Sequence, residues 1–200
     1  MKRFLLKRFL LAIAILAPSL AFAHPGFDAG RHHASAFMMG LMHPFTGLDH
    51  MAAMVAVGVW SMQSFKNDRF AVWCAPVAFA GMLLVGGMLG FSGLKLLAVE
   101  PMIAVSLLVL GLFVALRVKL PLLLSVALVG IFAIFHGVAH GSELPAAQAM
   151  TVLSGMVTGT LLLHMSGMLL SYLLERNKWL PRMAGFSVAA LGVSLLASAL

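Results

Sequence analysis

Most of the residues of this chain that could do chemistry lie in two short stretches. One is His43-Pro44-Phe45-Thr46-Gly47-Leu48-Asp49-His50, the other Phe135-His136-Gly137-Val138-Ala139-His140-Gly141-Ser142-Glu143. Imidazoles and carboxylates together form a donor set suited to a borderline divalent cation such as Ni2+, Co2+, Cu2+ or Zn2+, with water completing the shell. On a helix His136 and His140 share one face a turn apart and Glu143 continues it, so the two imidazoles can serve one ion. Nearby, Gly137 and Gly141 are also four apart and would admit another helix closely. The first stretch is less simple. On an unbroken helix His43 and His50 share a face but are separated by about 10 Å of rise, too far to chelate one ion. Pro44 and Gly47 are helix breakers, and Thr46-x-x-Asp49 has the form of a capping box opening a new helix. The pattern predicts a discontinuous helix whose broken backbone lines a cavity.

The elements that must position these residues are membrane helices. Hydrophobic residues make up 62% of the 200 and charged residues only 10%, with a mean hydropathy of +1.05. No soluble interior of that size could hide so much apolar surface. Residues 1–23 read as a secretory signal: Lys2, Arg3, Lys7 and Arg8 precede an apolar core, Phe9 to Ala17, and Ala21-Phe22-Ala23 offers a small-residue cleavage site. An uncleaved anchor is the weaker reading, because the apolar run is short and Pro18 interrupts it. The mature chain then starts at His24 and carries nine basic against six acidic residues, too modest an excess, and too dispersed, for nucleic acid. With Cys74 the sole cysteine, neither an intramolecular disulfide nor a thiolate cluster is available.

Six apolar spans follow, at roughly 34–62, 70–91, 97–116, 120–140, 148–174 and 183–199, each near or above the ~20 residues a crossing requires. With His24 outside, the loops after the first, third and fifth spans are cytoplasmic and hold Lys66, Arg69, Arg117, Lys119, Arg176, Lys178 and Arg182. The outer side keeps only Arg31 and Lys95, as the positive-inside rule requires. Both mature termini are then periplasmic. His43, Asp49 and His50 fall in the outer half of the first span, and His136, His140 and Glu143 at the outer end of the fourth. One such histidine could serve packing alone. Four, with two carboxylates at matched depth, favour one functional cluster, since ionisable groups are costly in a bilayer.

His164 lies about 24 Å along the fifth span by helical rise, on the cytoplasmic side of centre. It is either a second station on an ion path or a hydrogen-bonded packing residue, and the sequence leaves both open. His24, with Asp28, His32 and His33 behind it, could capture metal at the outer surface, although a flexible polar leader is the blander reading. Methionines such as Met38, Met39, Met42, Met51 and Met54 are read mainly as packing residues. There is no His-Glu-x-x-His, Gly-x-Ser-x-Gly or phosphate-binding Gly-x-x-x-x-Gly-Lys, so neither these enzyme classes nor ATP-driven pumping by this chain alone is indicated.

His-x5-Asp-His in the first span and Phe-His-Gly-x-Ala-His-Gly-x-Glu around the fourth resemble the HupE/UreJ family of bacterial membrane proteins. The resemblance extends over the whole chain, including the signal, the His24-Pro25-Gly26 start and the six spans. It implies a nickel permease of the cytoplasmic (inner) membrane associated with supplying hydrogenase or urease, some relatives being linked to cobalt or other metals. By motif match the functional residues would be His43, Asp49, His50, His136, His140 and Glu143. The expectation is therefore an all-α polytopic membrane protein, signal peptide 1–23 and six-helix permease domain 24–200. It is not an enzyme and has no resident cofactor; it imports Ni2+, with a cytoplasmic metallochaperone as candidate recipient and no nucleic-acid partner. Two other readings are an intramembrane metal-dependent hydrolase and a haem-binding electron-transfer protein.

Overall fold

A computed structural model describes residues 32–144, 147–177 and 179–199. The expected signal peptide and His24 lie outside the described residues. These fold into seven α-helices and no strand: α1 (His32–Met42), α2 (Leu48–Phe65), α3 (Ala71–Phe91), α4 (Val99–Leu116), α5 (Leu122–Glu143), α6 (Ala149–Leu173) and α7 (Leu180–Ala199). Helices α3 to α7 are each long and apolar enough to cross a membrane, so the chain is a multi-pass membrane protein. The stretch read as a first span holds α1 and α2, parted by a 3₁₀ turn at His43–Phe45.

The interruption follows from its residues. Pro44 sits in the first turn of the 3₁₀ segment, where its missing N–H costs no hydrogen bond. Thr46 closes the turn through its backbone N–H and its hydroxyl, which both donate to the His43 carbonyl, at 3.0 and 2.7 Å. Gly47 is extended (φ −99°, ψ 124°), and the Met51 N–H donates to its carbonyl to open α2. The expected capping box does not form. Gly47, not Thr46, is the N-cap residue, the Thr46 hydroxyl is turned back to His43, and Asp49 Oδ1 instead accepts from the backbone N–H of His50 at 2.9 Å.

Helix α6 splints the break. A Cβ on its Gly155 or Gly159 would strike the backbone carbonyls of Phe37 or Leu41 in α1, and one on Gly167 that of Val55 in α2. Side-chain-free positions along α6 thus let both halves of the interrupted segment pack against one helix. Of the five long helices α6 is the most buried and α7 the least, so α6 is central and α7 peripheral.

Helices α3 and α5 approach as the spacing of Gly137 and Gly141 predicts. A Cβ on Gly137 would meet the Leu83 carbonyl and one on Gly141 the Gly87 carbonyl. Pro76 lies inside α3 and cannot donate to the Val72 carbonyl one turn back. The buried hydroxyl of Ser61 in α2 donates to that carbonyl instead, at 2.6 Å, tying α2 to α3. At the far end of α2 the buried Trp60 donates its indole N–H to the Val118 carbonyl at 2.7 Å, which fixes the α4–α5 loop. Met54, Trp60, Phe79, Leu83, Leu107, Leu110, Leu153 and Met156 form the fully buried centre around these ties.

Candidate metal centre

The 3₁₀ turn, the first turn of α2 and the last turns of α5 meet in one place. His43 comes from the turn, Asp49 and His50 from the start of α2, and His136, His140 and Glu143 from the end of α5. The His43 and His140 rings stand edge to face, 4.5 Å between centroids and 76° between planes, and the His50 ring is tilted over His140 at 4.2 Å. The break in the helix is what brings His43 and His50 to the same neighbour. An unbroken helix would hold them about 10 Å apart along its axis.

His43, His140 and Glu143 each offer one ligand atom, and these atoms lie within 4.8 Å of one another. Around an ion with tetrahedral bonds near 2.1 Å, neighbouring donors lie about 3.4 Å apart, so side-chain rotations that draw the group in by about 1 Å close it around the ion. His43 Nε2 is 3.4 Å from Glu143 Oε2. The three donors descend from surface to core, with exposures of 55% for the Glu143 side chain, 21% for His43 and 1% for His140. At the bottom, neither ring nitrogen of His140 has a hydrogen-bond partner. A buried polar atom left unpaired costs about 1–3 kcal/mol, so two on one ring call for a function. A cation bound there would also face the C-terminal end of α5, where the helix dipole is negative.

His136 belongs to a different set of contacts. Its Nε2 is 2.9 Å from Ser106 Oγ on α4, and the Ser106 hydroxyl donates to the Ile103 carbonyl at 2.7 Å. With that proton committed, Ser106 accepts from His136 Nε2–H, and His136 Nδ1 carries the lone pair. His50 Nδ1, at 3.0 Å, then donates to it. This assignment leaves a lone pair on His50 Nε2, 3.6 Å from the Asp49 carboxylate. A lone pair and a carboxylate facing each other repel, and a cation between them removes the repulsion. The two α5 histidines thus have different nearest partners, with His50 adjoining both. His140 joins His43 and Glu143, whereas His136 orients His50 beside Asp49.

His164 lies deeper, on α6, fully buried, with its Nδ1–H donating to the Met54 carbonyl at 2.7 Å. Phe79 sits between this ring and the outer cluster, 5.2 Å from the His164 ring and 5.6 Å from that of His136. The motifs did not point to Ser106 or Phe79. A lone serine and a lone phenylalanine in apolar helices carry no spacing signal, and only the packing of α3 and α4 against α5 reveals them.

The sequence model of the family described as HupE / UreJ protein matches residues 11–195. The chain belongs to the HupE/UreJ family. Among curated relatives, Protein HupE of Rhizobium leguminosarum bv. viciae is 42% identical over 186 residues, covering 92% of this chain and 93% of that protein. No solved structure matches. In this HupE/UreJ protein both sequence motifs thus lie within the matched region, and their side chains face one another across the break between α1 and α2.

Proposed function

We propose that this protein is a divalent transition-metal permease of the bacterial cytoplasmic membrane, importing Ni2+ from the periplasm for hydrogenase or urease maturation, with a cytoplasmic metallochaperone as recipient. The α1–α2 segment counts as one interrupted crossing, giving six in all after a cleaved signal, with both mature termini periplasmic.

The observation that carries this reading is the descent of donors from exposed Glu143 through His43 to the unpartnered, fully buried His140. A hydrated ion would exchange water first for a carboxylate oxygen and then for imidazole nitrogens, donors suited to Ni2+ and its neighbours in the first row. Glu143 and Asp49 offset its charge. His50, held by His136 and Ser106, supplies the next nitrogen. Ligands that meet only after small rotations bind weakly enough to release the ion, as transport demands. No nucleotide is needed, because two charges crossing 100 mV gain about 4.6 kcal/mol. Kinship with a protein named HupE supports the same reading.

The test is uptake of radioactive nickel at submicromolar concentration by cells lacking their own nickel importers. Uptake that persists in excess Mg2+ and is lost in His140→Ala at equal membrane abundance supports the proposal. Competition by Co2+ and Zn2+ ranks the metals. Equal uptake by wild type and His140→Ala would contradict it.

A further inference from the structure

We infer that His164 is an inner metal station, binding a divalent transition ion through Nε2 after it leaves the outer cluster. This rests on the permease reading and adds a second site to it.

The first observation is a fixed tautomer with an idle nitrogen. A carbonyl can only accept, so the 2.7 Å contact with the Met54 carbonyl places the proton of a neutral ring on Nδ1. Nε2 then carries a lone pair, and it has no hydrogen-bond partner although the residue is fully buried. A packing histidine would be expected to use both nitrogens. Here one is used to orient the ring and the other is left bare, as in metal-binding histidines whose second nitrogen is held by a carbonyl.

The second observation is that His164 does not stand alone on its helix. Met156, Thr160 and His164 recur every four residues, which places them on one face of α6, and all three are fully buried. Thr160 Oγ1 is also without a partner. A thioether, a hydroxyl and an imidazole about 6 Å apart in rise form a file of potential donors.

The third observation locates the file relative to the outer cluster. Gly159, beside Thr160, packs against the Leu41 carbonyl and the Phe45 ring, at the break between α1 and α2. His164 lies one turn further along α6, against α2: a Cβ on Gly58 would collide with the His164 carbonyl, so that glycine lets α6 approach closely enough for His164 to reach Met54. The Phe79 ring separates His164 from His136. The proposed route passes from the His50–His136 pair, by the edge of Phe79, to His164 Nε2.

The experiment uses the full-length protein and Ni2+ alone as probe, with His164→Asn as the principal variant. Asparagine keeps an N–H near the Nδ1 position, able to donate to the Met54 carbonyl, but has nothing in place of Nε2. His164→Ala is the second variant, and the monodisperse elution and thermal unfolding of each are compared with wild type. Bound Ni2+ is measured by equilibrium dialysis and metal analysis, and uptake in the same cells as above. Expected are one ion fewer per chain in His164→Asn and uptake lowered at least about tenfold, since the ligand nitrogen itself is removed and loss of a supporting contact alone costs about that much. His140→Ala, by contrast, should lose the outer ion. A folded His164→Asn that keeps wild-type stoichiometry and uptake overturns the inner station and leaves the permease reading standing. Absence of uptake by the wild type, or normal uptake by His140→Ala, overturns the permease reading and the station with it.

Discussion

The rings of His43 and His140 stand edge to face at 4.5 Å, yet His140 makes no hydrogen bond through either nitrogen. Its neighbours offer an imidazole nitrogen and a carboxylate, but no hydrogen bond is made to either. A residue kept for stability would not be left in this state, and its replacement separates folding from transport.

His140→Leu should unfold at a temperature equal to or above that of wild type in detergent, because an apolar side chain removes two buried unsatisfied nitrogens, each costing about 1–3 kcal/mol. Nickel uptake should be abolished. A His140→Leu protein that is destabilised by several degrees would assign the ring a structural role.

Gly47→Ala keeps the extended backbone at the break, since φ −99° and ψ 124° suit any residue. Its Cβ would lie 2.7 Å from Asp49 Oδ1 and 3.1 Å from His50 Cδ2, so both side chains must move. Thermal stability is expected to be close to wild type and uptake to fall about tenfold, as when the support of a metal ligand is lost. Unchanged uptake would show that Asp49 and His50 need no fixed position.

Ser106→Ala removes the acceptor for His136 Nε2–H and so releases the tautomer that turns His50 Nε2 toward Asp49. Nickel affinity should drop about 10-fold to 100-fold, as other metal sites do when a supporting hydrogen bond is removed. Ser106→Thr, which retains the hydroxyl, should recover much of it. Equal affinity in all three proteins would remove Ser106 from the account.

Ser61→Ala leaves the Val72 carbonyl, which Pro76 cannot satisfy, without its donor. The expected loss is about 1–3 kcal/mol, seen as a lower unfolding temperature with the metal stoichiometry of folded protein unchanged. Restoring the helical N–H with Pro76→Ala in the same chain should return part of that stability.

The all-helical architecture and the interruption at Pro44 and Gly47 were legible because apolar length and helix breakers act locally. The packing at Gly137 and Gly141 was legible for a related reason: small residues at helical spacing imply close approach whatever the partner. The capping box expected at Thr46 does not form, because the helix starts one residue later, at Gly47, and the Thr46 hydroxyl donates back to the His43 carbonyl. Spacing places His136 and His140 on a common face, but the two rings are a full turn apart and each meets different neighbours. For His136 those are Ser106 and His50; for His140 they are His43 and Glu143. Which neighbours they meet depends on how the 3₁₀ turn, α2 and α4 are set against α5, which no local pattern in α5 encodes.

The most direct measurement is Ni2+ influx into liposomes containing only the purified protein and an internal metal-quenched dye, with an inside-negative potential applied. The account predicts influx that accelerates with the potential and disappears in His140→Asn, a variant that fills the site with a polar side chain but removes the imidazole. Influx of equal rate with His140→Asn, or no influx from well-folded wild-type protein at any potential, would contradict it.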